Sequence, residues 1–243
     1  MTNNPLEKLY TWSPEKISWY ADACQYSGND RNQKLASAVF DALPQSPCIC
    51  DIGCGIGALS LEMQKKAEMV TAVDINGDAL RYLQNLVKCG GYKNIEVLEG
   101  DFLELEPPSR KADCLVFCMA GGSHFLEQAQ RWTNSKVIII NEVSRRCSFA
   151  SKPKISAKYD GGQQSSQLKE AGYKFEETVI ETSFGQPFRN FEDAVRFLSC
   201  YDREGSREEI ERMLSEQLEE TGREDFPLYL PTDKKYYFYI VDM

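Results

Sequence analysis

The stretch CDIGCGIGALS, residues 50–60, combines the end of an apolar run with an aspartate and alternate glycines. The apolar run, residues 48–52, predicts a buried strand, and residues 58–66 predict the helix that follows it. Gly53, Gly55 and Gly57 lie between the two, where glycine lets a ligand approach the backbone closely. A loop between a first strand and a first helix lies at the carboxyl edge of an open α/β sheet. The stretch therefore predicts a ligand site.

Apolar runs and amphipathic segments alternate after this loop. The apolar runs carry no polar face, which is typical of parallel strands covered by helices on both sides. The pattern predicts an α/β fold with a doubly wound, Rossmann-like sheet. The predicted strands are 48–52, 69–73, 95–98, 114–119, 136–141, 175–182 and 236–241. The predicted helices after the loop are 58–66, 78–88, 124–132, 163–171, 191–201 and 207–220.

The chain divides into an N-terminal helical cap, residues 1–45, and a main domain, residues 46–243. Two helices are predicted between residues 13 and 43. Ser13 is a good capping residue for the first, and Asp30 with Gln33 predicts a capping box for the second. The main domain is expected to carry an acidic helical insertion at about residues 189–230, before its last strand.

The overall charge is acidic. The chain has 243 residues, with 28 Lys and Arg against 37 Asp and Glu, a formal net charge of −9. Such a chain has no general attraction for polyanions, which argues against nucleic acid or an anionic membrane as its main partner. We therefore expect a small-molecule partner, no nucleic acid and no membrane. This argument does not exclude a local basic patch, for which the candidates are Arg145, Arg146, Lys152 and Lys154.

Cysteine usage and the N-terminus indicate a cytoplasmic location. The nine cysteines lie mostly in apolar runs and read as buried thiols of a reducing compartment. The first residues show no basic segment followed by an apolar stretch, so no secretory signal is readable. Cys48, Cys50 and Cys54 lack the spacing of a zinc site, and we expect no metal.

Three acidic residues at strand ends select among possible ligands. Asp51 precedes the glycines, where it disfavours a pyrophosphate and suits an ammonium group. Asp74 can accept hydrogen bonds from both hydroxyls of a ribose. Asp101 can accept one from the amine of adenine, and Phe102 can pack on the ring. An ammonium group, a ribose and an adenine without phosphate describe S-adenosylmethionine.

The segments CDIGCGIGALSLEM, VTAVDIN and LEGDFLEL, in this order, resemble the class I S-adenosylmethionine-dependent methyltransferase superfamily. The resemblance covers about residues 30–185 and the last strand. It implies a seven-stranded sheet whose last strand is antiparallel and lies beside the sixth. By position, the cofactor-binding residues are expected to be Asp51, Gly53, Gly55, Gly57, Asp74, Ile75, Asp101, Phe102 and Cys118.

The sequence signals for the methyl acceptor are less specific than those for the cofactor. The segment FCMAGGSHF after the fourth strand lacks the Asn/Asp-Pro-Pro-aromatic motif of many amino-group methyltransferases of nucleic acids and proteins. We therefore expect a small-molecule O, N or S nucleophile as methyl acceptor. His124 and Glu142 are candidate catalytic bases. Arg145 is a candidate for binding an acidic group of the acceptor.

The N-terminal segment is rich in aromatic residues. Tyr26 lies in a glycine-containing break between the two predicted helices, and residues 10–30 are expected to close the acceptor pocket. Tyr26 and Tyr20 are the predicted substrate contacts. Two other functions stay open: an NAD(P)-dependent Rossmann oxidoreductase, and a cofactor-binding regulator without catalysis. The acceptor atom and the oligomeric state are left undetermined by the sequence.

Overall fold

The computed structural model describes residues 12–120, 125–146, 155–160, 162–202 and 205–243. Its helices, numbered along the chain, are α1 Pro14–Gln25, α2 Arg31–Asp41, α3 Ala58–Met63, α4 Gly77–Gly90, α5 Leu126–Trp132, α6 Gly162–Glu170, α7 Phe191–Tyr201 and α8 Arg207–Gln217. Its strands are β1 Cys48–Ile52, β2 Met69–Asp74, β3 Ile95–Glu99, β4 Ala112–Cys118, β5 Thr133–Glu142, β6 Ser144–Arg146, β7 Ile155–Asp160, β8 Phe175–Ser183, β9 Gln186–Phe188, β10 Glu219–Glu220, β11 Leu228–Leu230 and β12 Asp233–Asp242.

Seven of these strands form the central sheet, in the order β3-β2-β1-β4-β5-β12-β8. The pairs from β3 to β5 are parallel, and β12 runs antiparallel to both β5 and β8. The predicted seven-stranded sheet with an antiparallel last strand is confirmed. Because the parallel strands end at one edge, the loops after β1, β2, β4 and β5 gather there.

A hydrophobic core covers each face of the sheet, because successive side chains of a strand point to opposite faces. On one face, Leu35 of α2 packs in a cluster with Ile138 of β5. On the other, Ile139 of β5 packs with Trp132 of α5 and Leu168 of α6. The runs without polar positions reflect this two-sided burial.

The insertion between β8 and β12 has a core of its own. In it, Phe188 of β9 packs with Leu198 of α7 and Leu214 of α8. Trp19 of α1 joins this cluster and donates a hydrogen bond from Nε1 to Asp193 Oδ1 at 3.0 Å. Helix α1 is therefore attached to the insertion as well as to the main domain.

The predicted capping box at the start of α2 is wrong. Asp30 precedes α2, but its side chain makes no capping hydrogen bond. Its Oδ1 accepts a hydrogen bond from the backbone N–H of Ser183 at 2.8 Å, and its Oδ2 pairs with Lys34 at 2.8 Å. Asp30 therefore fastens the start of α2 to the end of β8, a partner that is distant in the sequence.

Short strands are the other difference from the predicted elements. The hairpin of β6 and β7 and the small sheet of β10, β11 and β9 were not predicted. Strands of two to six residues carry too few positions for a period of two to stand out. None of the helices in the described ranges has the length and hydropathy that crossing a bilayer requires.

Candidate cofactor and acceptor site

The glycine loop turns at the carboxyl end of β1 through left-handed backbone conformations. Gly53 and Gly55 have φ angles of 71° and 56°, which side chains other than glycine rarely adopt. The backbone N–H groups of Gly53 and Cys54 both donate to the carbonyl of Val73, at 2.8 and 3.0 Å. The loop is therefore held against the end of β2, and its conformation explains the spacing of the glycines.

Gly57 has a different environment from the other two glycines. It precedes α3 with a φ of 74°, and a Cβ placed on it would lie 2.4 Å from Leu83 Cδ1 in α4. Gly57 therefore allows α3 and α4 to pack closely. Its predicted contact with the cofactor stays a prediction.

Asp74 lies at the end of β2, next to the loop. Its Oδ2 accepts a hydrogen bond from Gly55 N–H at 2.7 Å, and its Oδ1 accepts one from Asn76 N–H at 2.8 Å. A carboxylate can accept about four hydrogen bonds, so these two orient it and leave capacity for the hydroxyls of a ribose. Ile75, which follows, is 41% exposed and presents apolar surface beside the carboxylate.

Asp51 lies near the end of β1 and is 1% exposed. It accepts a hydrogen bond from Ser60 Oγ at 2.5 Å. Burial raises the pKa of the Asp51 carboxyl to about 6; the hydrogen bond from the Ser60 hydroxyl opposes this shift, and the nearby Asp74 charge contributes to it. The site therefore contains a carboxylate that is expensive to ionise, and a nearby cation would relieve that cost.

Asp101 and Phe102 follow β3. Asp101 is half-buried and its Oδ1 accepts a hydrogen bond from Leu103 N–H at 2.9 Å. Phe102 is 5% exposed and packs against Phe117 and Trp132, with ring centroids 5.5 and 5.2 Å apart. Phe102 is therefore part of the core beneath the loop. The adenine contacts of both residues stay predictions.

The end of β4 is strained and partly open. Met119 follows Cys118 with a φ of 58°, unusual for a residue with a side chain, and is 37% exposed. A Cβ on Gly53 would lie 2.3 Å from the Cβ of Ala120. The segment after β4 therefore lies directly against the glycine loop. Cys118 contacts Arg31, with Nη2 and Sγ 3.6 Å apart.

The candidate catalytic residues are only partly described. Glu142, at the end of β5, pairs with Lys234 of β12 at 3.2 Å, and both side chains are largely buried. A base at this position would act from within an ion pair. His124 lies outside the described residues, and Arg145 lies in β6, where only the backbone is described. The catalytic and substrate-binding roles of all three stay predictions.

The two predicted substrate tyrosines have different neighbours. Tyr20 of α1 accepts a hydrogen bond from Arg31 Nη1 at 2.5 Å, near Cys118. Tyr26 instead stacks on Tyr229 of β11 with ring centroids 4.5 Å apart, so it packs on the insertion. Tyr20 is the better placed for a ligand at the carboxyl edge, and both assignments stay predictions.

The aromatic cover of the glycine loop was not predicted in detail. A Cβ on Gly55 would lie 2.8 Å from Trp12 Cζ2, so the indole lies over this glycine. Ile17 and Ala21 of α1 pack with Ile56 of the loop in one cluster. The apolar positions 17 and 21, one helical turn apart, were the only sequence signal for this contact.

These residues fit an S-adenosylmethionine site. The loop leaves the backbone of Gly53 exposed, Asp74 keeps acceptor capacity, and Asp51 is a buried carboxylate whose side-chain partner is the neutral hydroxyl of Ser60. Comparison with known proteins supports the same conclusion, because residues 49–138 match the family described as "Methyltransferase domain". Residues 49–138 are therefore similar to methyltransferase domains, and the residues of the site fit S-adenosylmethionine as the cofactor.

Relatives of known name match this region. The tRNA (guanine(37)-N(1))-methyltransferase Trm5b of Pyrococcus abyssi is 33% identical over 102 residues, which are 42% of this chain and 30% of that protein. The ribosomal RNA small subunit methyltransferase A of Alkaliphilus oremlandii is 34% identical over 77 residues, 31% of this chain and 26% of that protein. The chain thus spans less than a third of the length of these relatives.

A solved structure extends the likeness to most of the chain. A SAM dependent methyltransferase from Aquifex aeolicus matches with a TM-score of 0.56 at 15% identity, covering 96% of this chain and all of that one. At this identity the likeness concerns the fold alone.

The prediction of a small-molecule acceptor without a nucleic-acid partner is wrong, because relatives that match this chain are named as tRNA and rRNA methyltransferases. The prediction gave the net charge more weight than the basic patch, although that patch was named as a candidate. The insertion, residues 189–230, holds twelve acidic and six basic residues, whereas residues 144–160 hold five basic residues and one acidic residue. The acidic excess is therefore concentrated away from a basic segment.

Proposed function

We propose that this protein transfers the methyl group of S-adenosylmethionine to a nucleotide of an RNA. The observation that carries the activity is the glycine loop joined to Asp74 at 2.7 Å, at the carboxyl edge of the sheet. The cofactor supplies an electrophilic methyl group on a positively charged sulfur. Gly53 gives it access to the exposed backbone of the loop, and Asp74, oriented by Gly55 N–H, accepts hydrogen bonds from its ribose.

The basic segment supports RNA as the acceptor. Strand β6 follows β5 after a single residue, which places the start of this segment at the carboxyl edge. The sequence from residue 144 to residue 160 contains five Lys and Arg, the residue types that contact phosphates. The relatives named as tRNA and rRNA methyltransferases agree with this direction.

Alignment is the main catalytic task of the domain in this proposal. Methyl transfer needs the nucleophile, the methyl carbon and the sulfur in line, and holding them so can supply most of the acceleration. Glu142 lies at the end of β5, beside the acceptor, where its pair with Lys234 fixes the carboxylate. Glu142 orients the nucleotide or takes a proton from the acceptor, and His124 is the other candidate base.

The test is transfer of tritiated methyl groups from S-adenosylmethionine to total RNA from a strain that lacks this protein. We expect label in RNA with the unaltered protein and at least 100-fold less with Gly55→Val, because a side chain there strikes Trp12. Charge reversal at Arg145 and Arg146 should weaken RNA binding and leave cofactor affinity unchanged.

The matched control reverses Lys88 and Lys93, which are exposed at the far end of α4. Reversing these two lysines changes the net charge by the same amount as reversing Arg145 and Arg146, but it leaves the basic segment unaltered. Labelling of RNA should therefore persist. Cofactor binding with no transfer to any RNA would contradict the acceptor and favour a regulator. Binding of NAD in place of S-adenosylhomocysteine would contradict the whole proposal.

A further inference from the structure

Arg31, the first residue of α2, is a buried cation that is only 8% exposed. Three aromatic rings enclose it, with the guanidinium carbon 5.9 Å from the centroid of Tyr20, 4.9 Å from Phe184 and 5.3 Å from Tyr236. Its Nη1 donates to Tyr20 Oη at 2.5 Å and its Nη2 contacts Cys118 Sγ at 3.6 Å. Its Nε is buried and has no hydrogen-bond partner among the residues that the structure describes.

The neighbours of this guanidinium do not neutralise it. The titratable groups that act on Arg31 most strongly are Tyr20, Tyr236, Cys118 and Cys24, none of which is a carboxylate. Burial raises the pKa of each of these phenols and thiols, so all four are neutral near pH 7. The three rings and the phenol oxygen stabilise the cation without carrying a negative charge, so the guanidinium keeps its capacity to pair with an anion.

Glu62 is the carboxylate to consider as an internal partner. It lines a small cleft with Arg31, together with Cys24 and Phe184. Its Oε2 instead binds Lys65 Nζ at 2.6 Å, one helical turn away. Glu62 is therefore satisfied by a partner of its own, and its charge serves as a control for that of Arg31.

The free edge of Arg31 has the geometry that an oxyanion requires. Nε and Nη2 lie on the same side of the guanidinium, where a carboxylate binds with two parallel hydrogen bonds. Within the described part of the chain, Nε has no partner and Nη2 has only a thiol at 3.6 Å. This edge lies beside Cys118, the last residue of β4, at the carboxyl edge of the sheet.

Asp51 of β1 is paired in register with Val116 of β4. The side chains of Asp51 and Cys118, two residues after Val116, therefore point to the same face of the sheet, where Arg31 contacts Cys118. Arg31 and Asp51 both act electrostatically on the Cys118 thiol, with opposite signs. A buried cation and a buried carboxylate near one thiol are complementary to a group that carries an ammonium and a carboxylate on one carbon. We propose that Arg31 binds the carboxylate of the methionine moiety of S-adenosylmethionine, while Asp51 faces its ammonium group. This inference rests on the proposed function.

The experiment compares two ligands by calorimetric titration of the full chain. S-adenosylhomocysteine carries the amino acid, and 5′-methylthioadenosine lacks it but shares the nucleoside. Arg31→Met should weaken S-adenosylhomocysteine binding about 10- to 100-fold, because hydrogen bonds to a charged group are lost. It should leave 5′-methylthioadenosine affinity within about twofold. Arg31→Lys keeps the positive charge but not the two parallel donors of the guanidinium. Its affinity for S-adenosylhomocysteine should fall about threefold to tenfold, and its affinity for 5′-methylthioadenosine should not change.

Glu62→Gln is the matched control, since it removes a charge from the same cleft, and it should change neither affinity. An equal loss for both ligands in Arg31→Met, or no loss for either, would overturn the inference and leave Arg31 a structural residue. Unchanged S-adenosylhomocysteine affinity with a raised KM for RNA would also overturn it, because the anion would then belong to the acceptor. If the unaltered protein binds neither ligand, the proposed function itself fails.

Discussion

Asp51 makes binding of S-adenosylhomocysteine depend on pH in a way that can be calculated. Burial raises the pKa of its carboxyl to about 6. At pH 7 the carboxyl of the ligand-free protein is about nine-tenths ionised, and at pH 5 it is about nine-tenths protonated. An ammonium group beside the carboxylate favours ionisation and returns the pKa towards its ordinary value of about 3.9. Binding at pH 5 therefore has to release a proton.

The free energy of releasing that proton determines how much the affinity for S-adenosylhomocysteine changes with pH. For a shift from about 6 to about 3.9, the dissociation constant rises about tenfold between pH 7 and pH 5, which is about 1.4 kcal/mol. Calorimetric titration in buffers of different ionisation enthalpy should show about 0.9 proton released at pH 5 and about 0.1 at pH 7. Asp51→Asn should remove the pH dependence of both the dissociation constant and the number of protons released.

His124 is the control, because it is the one histidine of the chain and its ordinary pKa of about 6.5 lies in the same range. His124→Gln should keep the tenfold change. The reasoning is refuted if Asp51→Asn keeps the full pH dependence, or if the affinity of the unaltered protein is constant from pH 5 to pH 7.

Stability gives a second measure of the same carboxyl. Its folded pKa is raised, so its contribution to stability is fully present below the unfolded pKa of about 3.9 and is lost as the pH rises through about 6. Asp51→Asn should therefore stabilise the ligand-free protein at pH 7 by about 2–3 kcal/mol in urea unfolding, with little effect at pH 4. An equal effect at both pH values would mean that ionisation is not the cause.

Three further substitutions separate binding from folding. Asp74→Ala should weaken S-adenosylhomocysteine binding by about 1.5–3 kcal/mol in calorimetry, and an unchanged affinity would remove Asp74 from the site. Gly57→Ala should cost about 2–4 kcal/mol in urea unfolding, because it strains a positive φ and drives a methyl group into Leu83; an unchanged midpoint would contradict that contact. Trp12→Ala uncovers Gly55 and should cost about 0.5–1.5 kcal/mol of cofactor affinity, whereas tighter binding would show that the indole blocks the site.

The central sheet was predictable because its signals are local. The parallel strands are buried on both faces and therefore appear as apolar runs, and the loop glycines mark the end of β1. Gly53 and Gly55 have positive φ angles, a requirement that the sequence itself displays. The location of Asp74 beside the glycine loop follows from its place at the end of a strand, since the topology brings that edge together; its contact with the ribose stays a prediction.

The other half of the site depends on contacts between distant segments. Arg31 lies 87 positions before Cys118, and nothing in its neighbourhood distinguishes it from an exposed helical arginine. Asp30 was read as a local helix cap because local caps are common, whereas its partner is Ser183, 153 positions away. The same limit applies to Trp12, whose contact with Gly55 requires α1 to be placed on the loop first.

The prediction drawn from the net charge was wrong for a different physical reason, because electrostatic interactions in salt solution act only over short distances. In physiological salt the field of an exposed charge falls off within about 8 Å, so a polyanion responds to the charges it touches and not to their sum. The twelve acidic residues of the insertion contribute to the total of −9, but the segment 144–160 contains five basic residues and begins one residue after the end of β5. An average over the chain hides that segment, whereas the order of the strands puts its start beside the cofactor site. The position of a charge relative to the carboxyl edge is therefore the quantity that bears on the acceptor, and it becomes readable only once the sheet order is known.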